Sequence, residues 1–214
     1  MKVEIWSDVA CPFCYIGKRS FEDALSRFEH RDEVDVQWRS FQLDPTMPAA
    51  VEGGLDALLA RKYGRTPEEA RAMNDRVTGM ASEVGLEYRL DRARPGNTRD
   101  AHRLLHLART HGLQDPLNER LLQAYFVEGE LLSDHPTLVR LGAEVGLDRD
   151  EVERMLAGDE YADAVEGEGD EAHDLGLGGV PAFVLDRRLL VSGAQPAESL
   201  LQALQQAWEQ QPAA

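Results

Sequence analysis

Residues 7–16 read Ser-Asp-Val-Ala-Cys-Pro-Phe-Cys-Tyr-Ile and contain both cysteines of this 214-residue chain, Cys11 and Cys14. The preceding segment, Met1–Trp6, alternates polar and apolar side chains, which is typical of a half-buried strand. Apolar residues after Cys14 recur at helical spacing. The sequence therefore predicts that the two cysteines lie where a strand passes into a helix.

This position of the cysteines indicates thiol chemistry. Backbone N–H groups without partners and the positive end of the helix dipole stabilise a thiolate at a helix N-terminus. We therefore expect Cys11 to be the nucleophile. Cys14, one turn further into the helix, is expected to be the more buried, resolving thiol that closes the disulfide. Pro12 suits the first helical turn, where no N–H donor is needed.

Composition and charge exclude several classes of protein. The net charge is −16, with 39 acidic and 23 basic residues, which argues against nucleic-acid binding. The sequence has no apolar run long enough for a membrane span, and its N-terminus has no signal-peptide pattern. We therefore expect a cytoplasmic protein, and in that compartment a disulfide is more often catalytic than structural.

Strand patterns occur only near the two ends of the chain. Val34–Phe41 alternates like a second strand, while Ala182–Leu185 and Leu189–Ser192 predict a hairpin, followed by a helix over Ala197–Trp208. Because a lone hairpin is marginally stable, we expect the two ends to pair in one sheet. The order predicts an α/β fold, β-α-β then β-β-α, with an all-helical insertion. The predicted segments are 1–44, 45–177 and 178–214.

The central segment contains several helix-start signals. Thr66-Pro67-Glu68-Glu69 combines an N-cap, a proline and a capping carboxylate. Asn97 to Asp100 predicts another helix start, with Asn97 as a candidate cap. The remaining predicted helices begin at Asp115, Asp134, Asp148 and Glu160.

The order of elements, the Cys-Pro-Phe-Cys dithiol and the apolar residue before Pro181 resemble the thioredoxin fold of the DsbA family, which carries an inserted helical domain. Further blocks look like its cytoplasmic FrnE-like branch. These blocks are Ser7-Asp8, Asn97-Thr98, Ala101-His102-Arg103, Tyr125-Phe126, Gly178 to Pro181 and Ser192 to Pro196.

The resemblance implies a cis bond between Val180 and Pro181, packed beside the dithiol. In that geometry the backbone of Val180 pairs with an extended substrate. Pro12 and Phe13, between the cysteines, and Pro181 are also predicted to contact the substrate. The FrnE-like pattern more often has threonine where Ala182 stands here. No third cysteine is present, which excludes an electron relay to a second dithiol.

For the other candidate metal ligands, an interpretation without a bound metal is favoured. Two cysteines supply only half of a typical zinc site, so redox chemistry is favoured over metal binding. His102 and His106 are four residues apart on a predicted helix, but a solvated or core-edge pair is the favoured interpretation. The acidic run Glu166–Glu171 lacks the ligand spacing of a calcium loop and is expected to be a solvated helix face. No metal site is predicted.

Tyr125 and Phe126 are expected to pack within the helical segment, although they could line a cleft facing the dithiol. Oligomeric state is not predicted.

The predicted function is thiol–disulfide oxidoreduction of a disulfide or dithiol substrate, with no bound cofactor and with glutathione as a possible redox partner. Two alternatives remain open. Glutathione transferases of the kappa class and 2-hydroxychromene-2-carboxylate isomerases resemble the same architecture, but usually have serine in place of Cys11. The other alternative is a redox-gated binding module or holdase.

Overall fold

The computed structural model describes residues 1–211, and its centre is a four-stranded mixed sheet in the order β2-β1-β3-β4. Strand β1 pairs parallel with β2 and antiparallel with β3, so the two ends of the chain share one sheet, as predicted. Ile5 lies between Trp38 of β2 and Phe183 of β3. The strands are β1 (Lys2–Ser7), β2 (Asp35–Ser40), β3 (Ala182–Leu185) and β4 (Leu189–Ser192).

The helices largely follow the predicted starts. Thr66 accepts the N–H of Glu69 and completes a capping box, so α3 begins where its sequence signal lies. Asp134 and Asp148 cap the helices His135–Glu144 and Arg149–Ala157 by accepting the N–H groups of Thr137 and Glu151. The α-helices within residues 1–211 are α1 (Pro12–Ser26), α2 (Gly54–Tyr63), α3 (Pro67–Glu83), α4 (Arg99–Thr110), α5 (Gln114–Gln123), α6 (His135–Glu144), α7 (Arg149–Ala157), α8 (Ala162–Asp174) and α9 (Ala197–Glu209). A π-helical turn, Ala124–Glu128, continues α5.

Both faces of the sheet are covered. Val3, Ile5 and Phe183 pack on one side with residues of α1 and α9. On the other side, Trp6 and Ala182 belong to a smaller apolar cluster that includes Ala172 of α8. This cover explains why every residue of β3 is buried and the strand has no polar alternation.

A third and larger core lies inside the helical segment, and the start of α1 packs into it. Val9, Tyr15 and Ile16 belong to the same buried cluster as the leucines of α4 and α5. The region around the two cysteines is therefore held between the sheet and the helices. No helix within residues 1–211 is long and apolar enough to cross a membrane.

Several predictions of element boundaries need correction. Helix α2 was not defined from the sequence, α5 begins at Gln114 rather than Asp115, and α8 begins at Ala162 rather than Glu160. Asn97 accepts the N–H of Arg99 at 2.8 Å, although Thr98 occupies the cap position, so the predicted cap is offset by one residue. Helices α2 to α8 lie between β2 and β3, while the segment boundaries 45 and 178 stay a prediction.

The acidic run in α8 is not a wholly solvated face. Glu168 is 5% exposed, and its carboxylate lies 3.0 Å from Nη1 of Arg39 on β2 and accepts the N–H of Ser40. Burial alone raises its pKa, but hydrogen bonds from His106 and Ser40 and the charge of Arg39 lower the pKa below its usual value. Glu168 therefore fastens α8 to the sheet.

Candidate functional site

Cys11 occupies the N-cap position of α1, immediately after the loop that follows β1. Its N–H donates to the carbonyl of Asp8 at 3.0 Å, and the N–H of Cys14 donates to the Cys11 carbonyl at 3.0 Å. Pro12 stands in the first turn of α1, where a backbone N–H has no partner within the helix. The missing N–H of proline therefore costs no helical hydrogen bond. The structure thus confirms the predicted placement of the cysteines between a strand and a helix.

Both cysteines are free thiols in this structure, and they differ in environment. Cys11 is 3% exposed and lines a cavity, whereas Cys14 is completely buried one turn into α1. Burial raises the pKa of the Cys14 thiol well above its usual value, and the adjacent Cys11 sulfur raises it further. The hydroxyl of Ser7 and the backbone of Asp8 oppose this shift without reversing it. Cys14 therefore retains its proton at neutral pH.

The segment before β3 lies against the first cysteine. The bond between Val180 and Pro181 is cis, and the Cys11 thiol donates to the Val180 carbonyl at 3.5 Å. Gly17 faces Pro181 so closely that a Cβ at Gly17 would lie 2.8 Å from Cγ of Pro181. Glycine at this position of α1 is what allows the Val180–Pro181 segment to approach the dithiol.

Cys11 opens onto a cavity of about 330 Å³. Pro12, Phe13 and Val180 line the same wall, so four of the six predicted site residues meet there. Cys14 and Pro181 are buried beneath that wall and do not line the cavity. The opposite side consists mainly of apolar side chains from α2, α3 and the segment before α2, namely Leu43, Met47, Leu55, Leu58, Leu59, Met73 and Val77.

Asp8 connects the dithiol loop to two other parts of the chain. It is 2% exposed, and its carboxylate accepts the N–H of Ala10 at 3.2 Å and that of Leu43 at 2.8 Å. On its other side, Nε2 of His102 on α4 lies 3.5 Å from Oδ1. Within residues 1–211, neither ring nitrogen of His102 has a well-formed hydrogen bond, and the Asp8 carboxylate lies beside its Nε2.

The two histidines of α4 were predicted to be solvated or at the core edge, and this is wrong. His102 is 1% exposed beside Asp8, while His106 is 9% exposed and contacts Ser40 and Glu168. The difference arises because α4 lies between the dithiol loop and α8. Sequence reading missed Asp8 as a site residue, although its position three residues before Cys11 was visible.

Aromatic side chains support the first turn of α1. The Tyr88 hydroxyl donates to the Pro12 carbonyl at 2.6 Å, and its ring stacks on Phe126 with centroids 4.8 Å apart. Tyr125 and Phe126 are buried and also line the cavity, so both interpretations considered for them hold. Burial and the nearby Asp8 charge raise the pKa of Tyr125, which therefore stays a neutral phenol.

The comparison with known proteins agrees with this geometry. Residues 2–205 match the DSBA-like thioredoxin domain family. The chain belongs to that family. A probable DsbA oxidoreductase from Streptomyces coelicolor has a crystal structure that is 45% identical in sequence and covers 100% of this chain and 92% of its own, with a TM-score of 0.95.

Two further relatives are more distant. YwbO of Bacillus subtilis is 26% identical over 194 residues, which is 90% of each chain. The cytosolic disulfide reductase DsbM from Pseudomonas aeruginosa is 18% identical, covers 98% of this chain and 99% of its own, and has a TM-score of 0.67. At that identity the similarity shows the thioredoxin-like fold alone.

Proposed function

We propose that this DSBA-like protein is a thiol–disulfide oxidoreductase in which Cys11 and Cys14 form a reversible dithiol. The observation that supports this most strongly is the contrast between the two thiols. Cys11 occupies the N-cap position of α1 and lines the cavity, whereas Cys14 lies fully buried behind it. A sulfur that lines a cavity at a helix N-terminus, with a second thiol one turn away, is the arrangement that disulfide exchange requires.

In the proposed reaction the Cys11 thiolate attacks one sulfur of a substrate disulfide. A Cys11–substrate disulfide forms, and the other substrate sulfur leaves as a thiolate that takes a proton from water. Cys14 then loses its proton and attacks the Cys11 sulfur, which releases the second substrate thiolate and leaves a Cys11–Cys14 disulfide. Two electrons pass from the dithiol to the substrate, and an external dithiol returns them. The reverse sequence oxidises a substrate dithiol.

Val180 supports the first step of this reaction. Its carbonyl accepts the Cys11 thiol at 3.5 Å in the free protein, so the same backbone edge is beside the sulfur that the substrate must reach. We propose that an extended substrate pairs with this edge while Pro12 and Phe13 contact it from the opposite side. Pro181, buried against Gly17, holds the Val180 segment in place rather than touching the substrate.

The glutathione-dependent alternatives predict a different role for the first motif position, where a serine activates a bound thiol. The two cysteines of this chain favour redox exchange instead. Glutathione as a redox partner, membership of the FrnE-like branch and a cytoplasmic location stay predictions. A holdase function predicts that the Cys11→Ser/Cys14→Ser double variant still protects an aggregating client protein, and measuring that protection distinguishes it from exchange.

The direct test measures reduction of bis(2-hydroxyethyl) disulfide with dithiothreitol as the electron source. We expect turnover by the unmodified protein and background rates for Cys11→Ser. For Cys14→Ser we expect accumulation of a Cys11 mixed disulfide, visible by intact mass. Normal turnover by Cys11→Ser would reject the mechanism. Tight glutathione binding together with isomerase activity that survives Cys14→Ser would favour the glutathione-dependent alternative.

A further inference from the structure

Helix α2 has an apolar face that the protein leaves half-buried. Leu55, Leu58 and Leu59 recur at helical spacing, a pattern that normally packs into a core. Among the residues of α2 only Ala60 is buried, and the three leucines line the cavity opposite Cys11. Leu55 also packs in part against the helical core, so the leucine face of α2 is shared between that core and the open space of the cavity.

The same apolar character continues at the mouth of the cavity. Phe13, Leu43 and Tyr63 line it and are 38%, 44% and 53% exposed, which is high for large apolar side chains. Met47 and Met73 add flexible, polarisable side chains that adapt to different shapes. A volume of about 330 Å³ is at the small end of the range for sites that bind small molecules.

Several polar groups of the lining are already engaged by the protein. Asp8 accepts two backbone N–H groups, Asp44 accepts the N–H and hydroxyl of Thr46, and Asn74 donates to Asp56 at 2.6 Å. A charged ligand entering the cavity would lose its water without gaining equivalent partners from these groups. The charged side chains of the lining are Asp8, Asp44 and Lys62, so carboxylates outnumber the single cation and disfavour an anion.

From these observations we infer that the cavity binds the apolar, uncharged half of a small-molecule disulfide and presents its sulfur to Cys11. This rests on the proposed function and adds the substrate class. The Cys11 thiolate attacks the sulfur attached to the bound group, the S–S bond breaks, and the outer half leaves as a thiolate. Cys14 then releases the bound half, and an external dithiol such as dithiothreitol reduces the resulting disulfide.

A series of dialkyl disulfides tests this inference, because diethyl and dibutyl disulfide have similar S–S reactivity and differ in apolar length. Rates with dithiothreitol are corrected with the Cys11→Ser protein as background. The butyl group buries two more methylenes in the cavity than the ethyl group does. We therefore expect a kcat/KM for dibutyl disulfide roughly tenfold above that for diethyl disulfide. Glutathione disulfide, which is charged, is expected to be the poorest substrate.

Two substitutions on α3 form a matched pair. Met73 lines the cavity, whereas Met80 on the same helix is 44% exposed and lies outside the lining. We expect Met73→Gln to lower the dibutyl-to-diethyl ratio at least about threefold, mainly through KM, because it removes apolar contact. Met80→Gln is expected to preserve the ratio, with circular dichroism confirming that both variants fold.

Each outcome of the test is decisive. A selectivity for the longer chain that Met73→Gln alone reduces supports the inference. Turnover without that selectivity, a preference for glutathione disulfide, or an equal loss in Met80→Gln overturns it and leaves the oxidoreductase function standing. Absence of turnover with every disulfide rejects the proposed function itself.

Discussion

Gly17 and Pro181 are in direct contact across the candidate site: a Cβ on Gly17 would lie 2.8 Å from Cγ of Pro181 and 3.4 Å from Cζ of Phe183. Both neighbours are buried, so neither can move aside freely. The helix that carries the dithiol and the segment that carries Val180 are therefore fitted to each other at this glycine.

We predict that Gly17→Ala destabilises the protein by about 2 kcal/mol, because overpacking forces a shift of the Pro181 segment. The same shift moves Val180 away from Cys11 and lowers kcat/KM for disulfide exchange. Gly79→Ala on α3 is the control, since a Cβ there meets nothing within 4 Å. It should stabilise the protein slightly. Chemical denaturation measures both, and equal effects at the two glycines would contradict the contact described here.

Asp8 and His102 should be energetically coupled, because both side chains are buried and Nε2 of His102 lies 3.5 Å from Oδ1 of Asp8. Asp8→Asn loses charge-assisted hydrogen bonds from Ala10 and Leu43 and is expected to cost about 2 kcal/mol. In the Asp8→Asn/His102→Asn double variant the loss should be smaller than the sum of the single losses by about 1 kcal/mol. Strict additivity in urea unfolding would show that the two side chains do not interact.

Tyr88 is predicted to position the first turn of α1 through its hydrogen bond to the Pro12 carbonyl. Tyr88→Phe removes that donor while retaining the ring that stacks on Phe126. We expect a stability loss of about 1 kcal/mol and a lower kcat/KM, with the alkylation rate of Cys11 by iodoacetamide changed as well. An unchanged alkylation rate with the same stability loss would mean that the bond supports folding alone.

Glu168 predicts a specific pH dependence of stability. Its folded-state pKa lies below the usual value of 4.5, so the carboxylate stabilises the fold above about pH 4.5, and this contribution is lost as the pH falls through the folded pKa. Glu168→Gln should therefore be less stable by about 2 kcal/mol at pH 7, and the gap should narrow in acid.

Glu166→Gln, which changes an exposed residue of the same helix, is the matched control and should leave stability nearly unchanged. Denaturant titrations from pH 7 to acid for the two variants and the unmodified protein would measure the gap. A difference between Glu168→Gln and the unmodified protein that is constant with pH would exclude the assigned ion pairs.

Local signals predicted much of this fold. The capping box at Thr66, the hairpin at Ala182–Leu185 and Leu189–Ser192, and the placement of Cys11 and Cys14 depend on neighbouring residues, and the structure confirms them. The pairing of the two chain ends in one sheet was predicted because isolated strands and hairpins are only marginally stable.

Long-range relationships were not predictable in the same way. Glu168 looked solvated because its partner Arg39 lies on a distant strand, and His102 gave no sign that α4 would face Asp8. Helix α2 was not predicted, because it begins after Gly53 without a side-chain cap. Its leucines are only half-buried. The cavity arises from the position of that helix relative to Cys11 and so required the folded structure.

An equilibrium titration against glutathione redox buffers shows whether Cys11 and Cys14 form one reversible redox pair. Acid quenching followed by alkylation and intact-mass analysis counts free thiols at each ratio of reduced to oxidised glutathione. We predict a single two-electron transition between the dithiol and an intramolecular Cys11–Cys14 disulfide. Thiols that stay reduced under oxidising conditions, or that form only separate glutathione adducts, would contradict it.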